Sequence, residues 1–154
     1  MSKVYDNILL WSHYAAAHEG FCVKLNTDIL RDNFLKKSNE KVMIDIHEVE
    51  YSSDYPELNF FEMSKEEIAL KHVLVKAIDW CYEEEVRAVL LRSTNIRFEL
   101  EPEVLIEVII GVRMSEQSRS EIIGVLKNRI PRVNLLQAKL KKGAFGLDFE
   151  RIDY

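Results

Sequence analysis

Apolar and polar positions change period several times along the chain, and each change marks an element. A helix is predicted over residues 7 to 18, with Asp6 as its cap and Gly20 as its stop; Ala15, Ala16 and Ala17 are strong helix formers. FCVKLN then reads as a strand. DILRDNFLKK reads as a second helix, capped by Thr27, with Leu30 and Phe34 at helical spacing. VMIDIHEVEY alternates with period two, which predicts a strand carrying Val42, Ile44 and Ile46 on one face and Asp45 and His47 on the other.

Residues 52 to 63 have no period and read as a loop with exposed aromatics. Ser64 and Glu67 form a capping box for a helix over residues 65 to 78, which would turn Ile68, Val75 and Ile78 to the core. YEEEVRAVLL predicts a strand, and IRFEL, after a Ser-Thr-Asn turn, its hairpin partner; Pro102 ends that element. VLIEVIIG is dense in β-branched residues, the pattern of a central strand buried on both faces. A helix follows from Ser115 to near Ile130 and Pro131. VNLLQAKLK and FGLDFERID are the last two strands, joined through Gly143. No repeat or Gly/Pro/Ser-rich linker divides residues 1–154, so a single domain is expected. Its class is α+β: a mixed, largely antiparallel sheet with about four helices packed on it.

Composition narrows the function classes. A net charge of −5 gives no support to a nucleic-acid partner; Lys139, Lys141 and Lys142 form the one basic strip noted, read as a solvated strand end. The N-terminal stretch is neither a signal peptide nor a span, and no window is long and apolar enough to cross a bilayer, so no membrane partner is expected. Cys22 and Cys81, with no secretion signal, read as reduced thiols of a cytoplasmic protein, and neither belongs to a C-x-x-C pair.

Two stretches carry candidate chemistry. On one strand, Glu83, Glu85 and Arg87 would share a face, with the carboxylates roughly 7 Å apart at twice the strand rise. Like charges at that separation raise one pKa unless a cation compensates, and Arg87 is placed to do so. The row is a catalytic face or a salt-bridged outer face; Trp80 and Tyr82 just upstream favour a lined pocket. In WSHYAAAHEGFC, a helix would put Trp11, Tyr14, Ala15 and His18 on one stripe and turn His13 away. His13 is then a candidate general base, ligand contact or orienting donor, and Tyr14 and His18 candidate ligand contacts. His13 and His18 are five positions apart, the wrong spacing for a helical metal pair. The five glycines form no phosphate loop, and there is no G-x-S-x-G or H-E-x-x-H.

These residues resemble an uncharacterised bacterial family, a domain of unknown function. The resemblance rests on W-S-H-Y-A at Trp11–Ala15 and H-x-G-x-C at His18–Cys22. It continues in K-x-x-x-W-x-Y-E-x-E-x-R at Lys76–Arg87, V-I-x-G-x-R at Val108–Arg113 and F-G-L-x-F-E-x-I at Phe145–Ile152. The family pattern has an aromatic before the arginine, where this chain has Val86. Longer members carry an N-terminal half with an N-D-P loop, so the chain resembles the C-terminal part.

The resemblance implies no established activity and leaves enzyme and binding roles open. As a binding or accessory module, of a bacterial defence or stress system for instance, the chain would use the two polar groups as one knot. Glu83 or Glu85 would bond His13 or Tyr14 and pair with Arg87. The alternative is a divergent ADP-ribosyltransferase using NAD, in which Glu83 or Glu85 holds a ribose hydroxyl and stabilises positive charge, with Tyr14 and His13 lining the pocket. No cofactor is expected outside that alternative, and the small-molecule ligand is unspecified. A family fold lacking its first strands would leave a sheet edge bare, which predicts a homo-oligomer.

Overall fold

Residues 1–38, 43–91 and 97–154 are described by the computed structural model. They form α1 (Ile8–Tyr14), β1 (Phe21–Leu25), α2 (Thr27–Lys37), β2 (Met43–Glu48), β3 (Glu50–Ser52), α3 (Lys65–Leu74) and β4 (Val75–Ala77). After a 3-10 segment, Ile78–Glu83, come β5 (Val86–Leu91), a second 3-10 turn at Pro102–Val104, β6 (Leu105–Ile110), α4 (Glu116–Lys127), β7 (Asn134–Leu140) and β8 (Leu147–Arg151). The class is α+β with mostly antiparallel pairing. The strands divide among three sheets: β1-β6-β7-β8, β2-β5 and β3-β4. The chain forms two compact units: the first comprises Met1–Val4 and Phe34–Phe98, the second Tyr5–Asn33 and Glu99–Tyr154.

The second unit is organised by β6, the densest apolar run. It pairs antiparallel with β1 and parallel with β7, while β8 continues the sheet as a hairpin from β7. Side chains alternate across a strand, and both faces of β6 are covered, as the sequence predicts. Ile109 packs with Trp11, Ala15, Ala138 and Leu147. Val108 and Ile110 pack with Leu126, Val133 and Leu135, and Ile122 and Ile123 of α4 lie against that cluster.

The first helix is shorter than its alanines predict. Asn7, not Asp6, caps it by accepting from the Leu9 amide at 2.9 Å, and it stops at Tyr14. Ala16, Ala17 and His18 then take φ of 47°, 51° and 70°. Left-handed backbone costs an L-residue roughly 1–2 kcal/mol, so tertiary contacts must hold it. The His18 carbonyl accepts from the Arg113 amide at 2.9 Å, and the Gly20 carbonyl from the Gly111 amide at 2.9 Å. A Cβ on Gly111 would lie 2.2 Å from the His18 oxygen. The H-x-G and G-x-R motifs are thus two sides of one backbone junction.

Other boundaries also move. Asn26 caps α2, accepting from Asp28 and Ile29 at 3.1 Å each, and Thr27 is already in the first turn. Ser115 does open α4, but that helix ends at Lys127 and Ile130 is exposed.

In the first unit the capping box at Ser64 and Glu67 is present. The helix it opens ends at Leu74, four residues early, because β4 pairs in parallel with β3. Ile78, expected in the core, is 47% exposed. In β2, Ile44 is buried and Ile46 half-buried, as the alternation predicts; Val42 lies outside the described residues. The strand expected at YEEEVRAVLL begins only at Val86 and pairs with β2, from Glu48↔Val86 to Met43↔Leu91. The Ser-Thr-Asn turn and Ile96 of the expected hairpin lie outside the described residues, and Arg97–Leu100 is not a strand. No helix among the described residues is long and apolar enough to cross a membrane.

Candidate functional site

The acidic row is built on a turn, not on a strand face. Glu83 ends the 3-10 segment, and Glu84 reverses the chain with φ of 42°. Backbone bonds fix the reversal: Glu84 N–H donates to the Cys81 carbonyl, Lys3 N–H to the Glu84 carbonyl at 3.0 Å, and Val49 N–H to the Glu85 carbonyl at 2.9 Å. The Ser2 hydroxyl donates to the Glu83 carbonyl at 2.6 Å, and the Tyr51 hydroxyl accepts from the Glu85 amide at 2.8 Å. Glu83 thereby sits inside the first unit at 3% exposure, where the alternation of a single strand would have set it beside Glu85 and Arg87.

Two cations meet these acids. Lys76, on β4, donates to Glu83 Oε2 at 2.5 Å and to Glu85 Oε2 at 3.0 Å. Arg87, on β5, forks onto Glu85, Nε to Oε1 at 2.7 Å and Nη2 to Oε2 at 2.8 Å, while Nη1 donates to the Val73 carbonyl. Bidentate, charge-assisted bonds of this kind are about twice as strong as neutral ones. The Lys76 ammonium also lies 5.0 Å from the centre of the Trp80 ring, and Trp80 and Tyr82 are tilted neighbours with centroids 6.0 Å apart. Burial alone buries cost in an ion; here each ion has an opposite partner and hydrogen bonds, the condition under which charge persists inside a protein.

The electrostatic result is a neutral, locked network. The Arg87 fork is the main cause that holds the Glu85 carboxyl down at about 2; burial opposes it, and Lys76 adds to it. Burial works to lower the Lys76 pKa, and the bonds to Glu83 and Glu85 outweigh it and raise it. The Glu85 bond likewise raises Arg87 against its burial. At neutral pH Glu85 is an anion with both oxygens engaged, unsuited to giving or taking a proton.

The remaining candidates lie in the second unit. Tyr14 and His13 are exposed on α1 with their rings edge to face, 6.2 Å between centroids. The expected stripe of Trp11, Tyr14, Ala15 and His18 does not form, since the helix ends first: Trp11 and Ala15 are buried and Tyr14 is 66% exposed. His18 returns over Trp11 by the left-handed turn, stacked at 10° with centroids 6.4 Å apart. Its Nε2 is 3.1 Å from the Ser12 hydroxyl, which itself donates to the Ile8 carbonyl. His18 is a packing residue in this arrangement. Trp80, Tyr82, Glu83, Glu85 and Arg87 belong to the first unit.

Sequence reasoning passed over Lys76 and Tyr51 as members of the site. Lys76 had a signal, since it begins the motif that contains the acids; Tyr51 had none, because only the β3–β4 pairing brings it to Glu85. Among the described residues no group of His, Cys, Asp and Glu could hold a metal ion. Cys22 and Cys81 are free, and burial pushes the Cys22 thiol up, away from the reactive thiolate.

No curated protein and no solved structure matches the chain. A family model does, over residues 10–88, just over half of the 154-residue chain; its description is "Protein of unknown function (DUF2971)". That span holds Trp11 and most of α1, the left-handed turn and Lys76, Glu83, Glu85 and Arg87 of the network. By this match the chain belongs to the DUF2971 family of proteins of unknown function.

Proposed function

We propose that the chain is a binding or accessory module, and that Lys76, Glu83, Glu85 and Arg87 are its internal brace and not its chemistry. The observation that carries this reading is the engagement of both Glu85 oxygens by Arg87 and Lys76. An NAD-using transferase asks its glutamate for an uncompensated negative charge beside the departing sugar; here two cations already take that charge up. Contact with a ligand in the first unit falls to the exposed ring of Trp80 beside the brace; in the second unit Tyr14 on α1 offers a separate exposed ring.

The two readings separate in one pair of measurements on Glu85→Gln. The brace predicts a lower melting temperature and no NAD turnover by the wild-type chain. The transferase predicts turnover that collapses in the variant with stability kept or raised. Wild-type NAD turnover removed by Glu85→Gln without loss of stability would overturn the brace.

Self-association belongs to the same proposal. In the four-stranded sheet β1 and β8 are the edges. Charged side chains guard β8, with Asp148, Glu150 and Arg151, whereas β1 has one, Lys24, next to the exposed Val23 and with Phe21 exposed at the strand's start. A homo-oligomer formed through β1 is expected in sedimentation, and Val23→Lys should return it to monomer; a wild-type monomer at high concentration would end the idea.

A further inference from the structure

The hairpin between β7 and β8 carries a feature that no packing role explains. Its loop is closed by the Lys141 amide donating to the Gly146 carbonyl at 3.1 Å, and Gly143, with φ of 70°, turns it. Phe145 in that loop is 99% exposed, and Leu140 at its base is 65% exposed. Between them stand Lys141 and Lys142, neither of which makes an ion pair among the described residues, while Lys139 is held by Glu150. A projecting tip therefore joins two apolar side chains to two uncommitted ammonium groups.

We propose that this tip is a membrane-surface contact, with Phe145 and Leu140 entering the headgroup region of a bilayer and Lys141 and Lys142 meeting anionic lipid headgroups. The chemistry is complementary on both counts. Apolar side chains gain from leaving water at the acyl boundary. Lysines beside an anionic leaflet each strengthen binding by about fivefold. A hairpin tip touches a surface without a spanning segment, so the lack of one does not argue against contact. A nucleic acid would ask for basic residues tracking a backbone over several phosphates, and two lysines at one point do not supply that.

The chain contains its own control. Phe61 is fully exposed too, but its loop carries Asp54, Glu57 and Glu62 and would be repelled from an anionic surface. Exposed aromatic area is common to both loops; only the hairpin tip adds positive charge.

Vesicle flotation of the full chain tests this with phosphatidylcholine vesicles, alone or mixed with phosphatidylserine. Binding is expected only to the mixed vesicles. Phe145→Ser should weaken it by about tenfold, Lys141→Gln and Lys142→Gln by about fivefold each, and Phe61→Ser not at all. Phe145→Trp should shift emission to the blue on those vesicles relative to wild type, whose own tryptophans are Trp11 and Trp80. Melting curves confirm that the variants are folded. No flotation, flotation unchanged by Phe145→Ser, equal loss in Phe61→Ser, or binding to a single-stranded oligonucleotide in place of vesicles would each overturn the proposal.

Discussion

The two units are held by different physics. Of the fourteen buried apolar side chains among the described residues, only Ile44 and Val49 belong to the first unit; the rest, Ile109, Ile110 and Leu135 foremost, belong to the second. The first unit buries a charge instead, Glu83, and surrounds it with Lys76, Glu85 and Arg87. Apolar packing is non-directional and nearly indifferent to pH. An ion network is directional, costs desolvation, and depends on every partner being present. The second unit should tolerate acid and resist loss of any one polar contact. The first should be sensitive to both.

The strongest test of the packed unit is Leu135→Ala, which deletes a side chain at 1% exposure between β6 and α4. It should cost about 2–5 kcal/mol in urea unfolding. Gly111→Ala should cost about 3 kcal/mol, because its new methyl would sit 2.2 Å from the His18 oxygen and 2.6 Å from the Gly20 oxygen, both backbone. A Gly111→Ala chain of wild-type stability would mean that the left-handed turn is not fixed by this junction.

The ion network breaks in a different way. Lys76→Met leaves Glu83 buried without its cation, and a loss of about 3 kcal/mol is expected. Hydrogen exchange should register that loss in β4 and β5, with the amides of β6 and β7 little changed. Equal loss in all four strands would erase the contrast between the units. Acid gives the graded version. The folded pKa of Glu85, about 2, lies below its ordinary 4.5, so its stabilisation is complete above the ordinary value and vanishes as pH falls from there to about 2. That shift corresponds to about 3 kcal/mol as an upper bound, since the carboxylate retains some solvent. In Glu85→Gln this part of the acid dependence should be missing; an unchanged pH profile would show that Arg87 and Lys76 do not hold the carboxylate as drawn. The smallest effect is at the helix cap: Ser64→Ala should cost about 1 kcal/mol, measured by the same urea titration.

How far the sequence could be read follows the same division. Where burial is apolar and local period is strong, it was legible. The double-sided burial of β6, the capping box of α3, the Ser115 start of α4 and the β7–β8 hairpin are all contained in short runs of residues. It was less legible where distant segments compete for backbone. Helix propensity favours Ala16 and Ala17 continuing α1, and the carbonyls of His18 and Gly20 instead accept from Arg113 and Gly111, more than ninety positions on. The candidate site divides likewise. Glu85 with Arg87 follows from their spacing, whereas Lys76 and Tyr51 come to Glu85 only through the β3–β4 pairing.

By itself, then, the chain order determined the α+β class, the central apolar strand, the Ser64 and Ser115 caps of α3 and α4, and the acids and arginine of the network, because hydrophobic period and capping act over a few residues. Only the tertiary structure decided that Glu83 is buried, that a lysine neutralises it, that His18 folds back over Trp11, and that the strands separate into three sheets. Those outcomes depend on hydrogen bonds and charges meeting across long stretches of chain, where many pairings satisfy the local pattern and the folded backbone selects one.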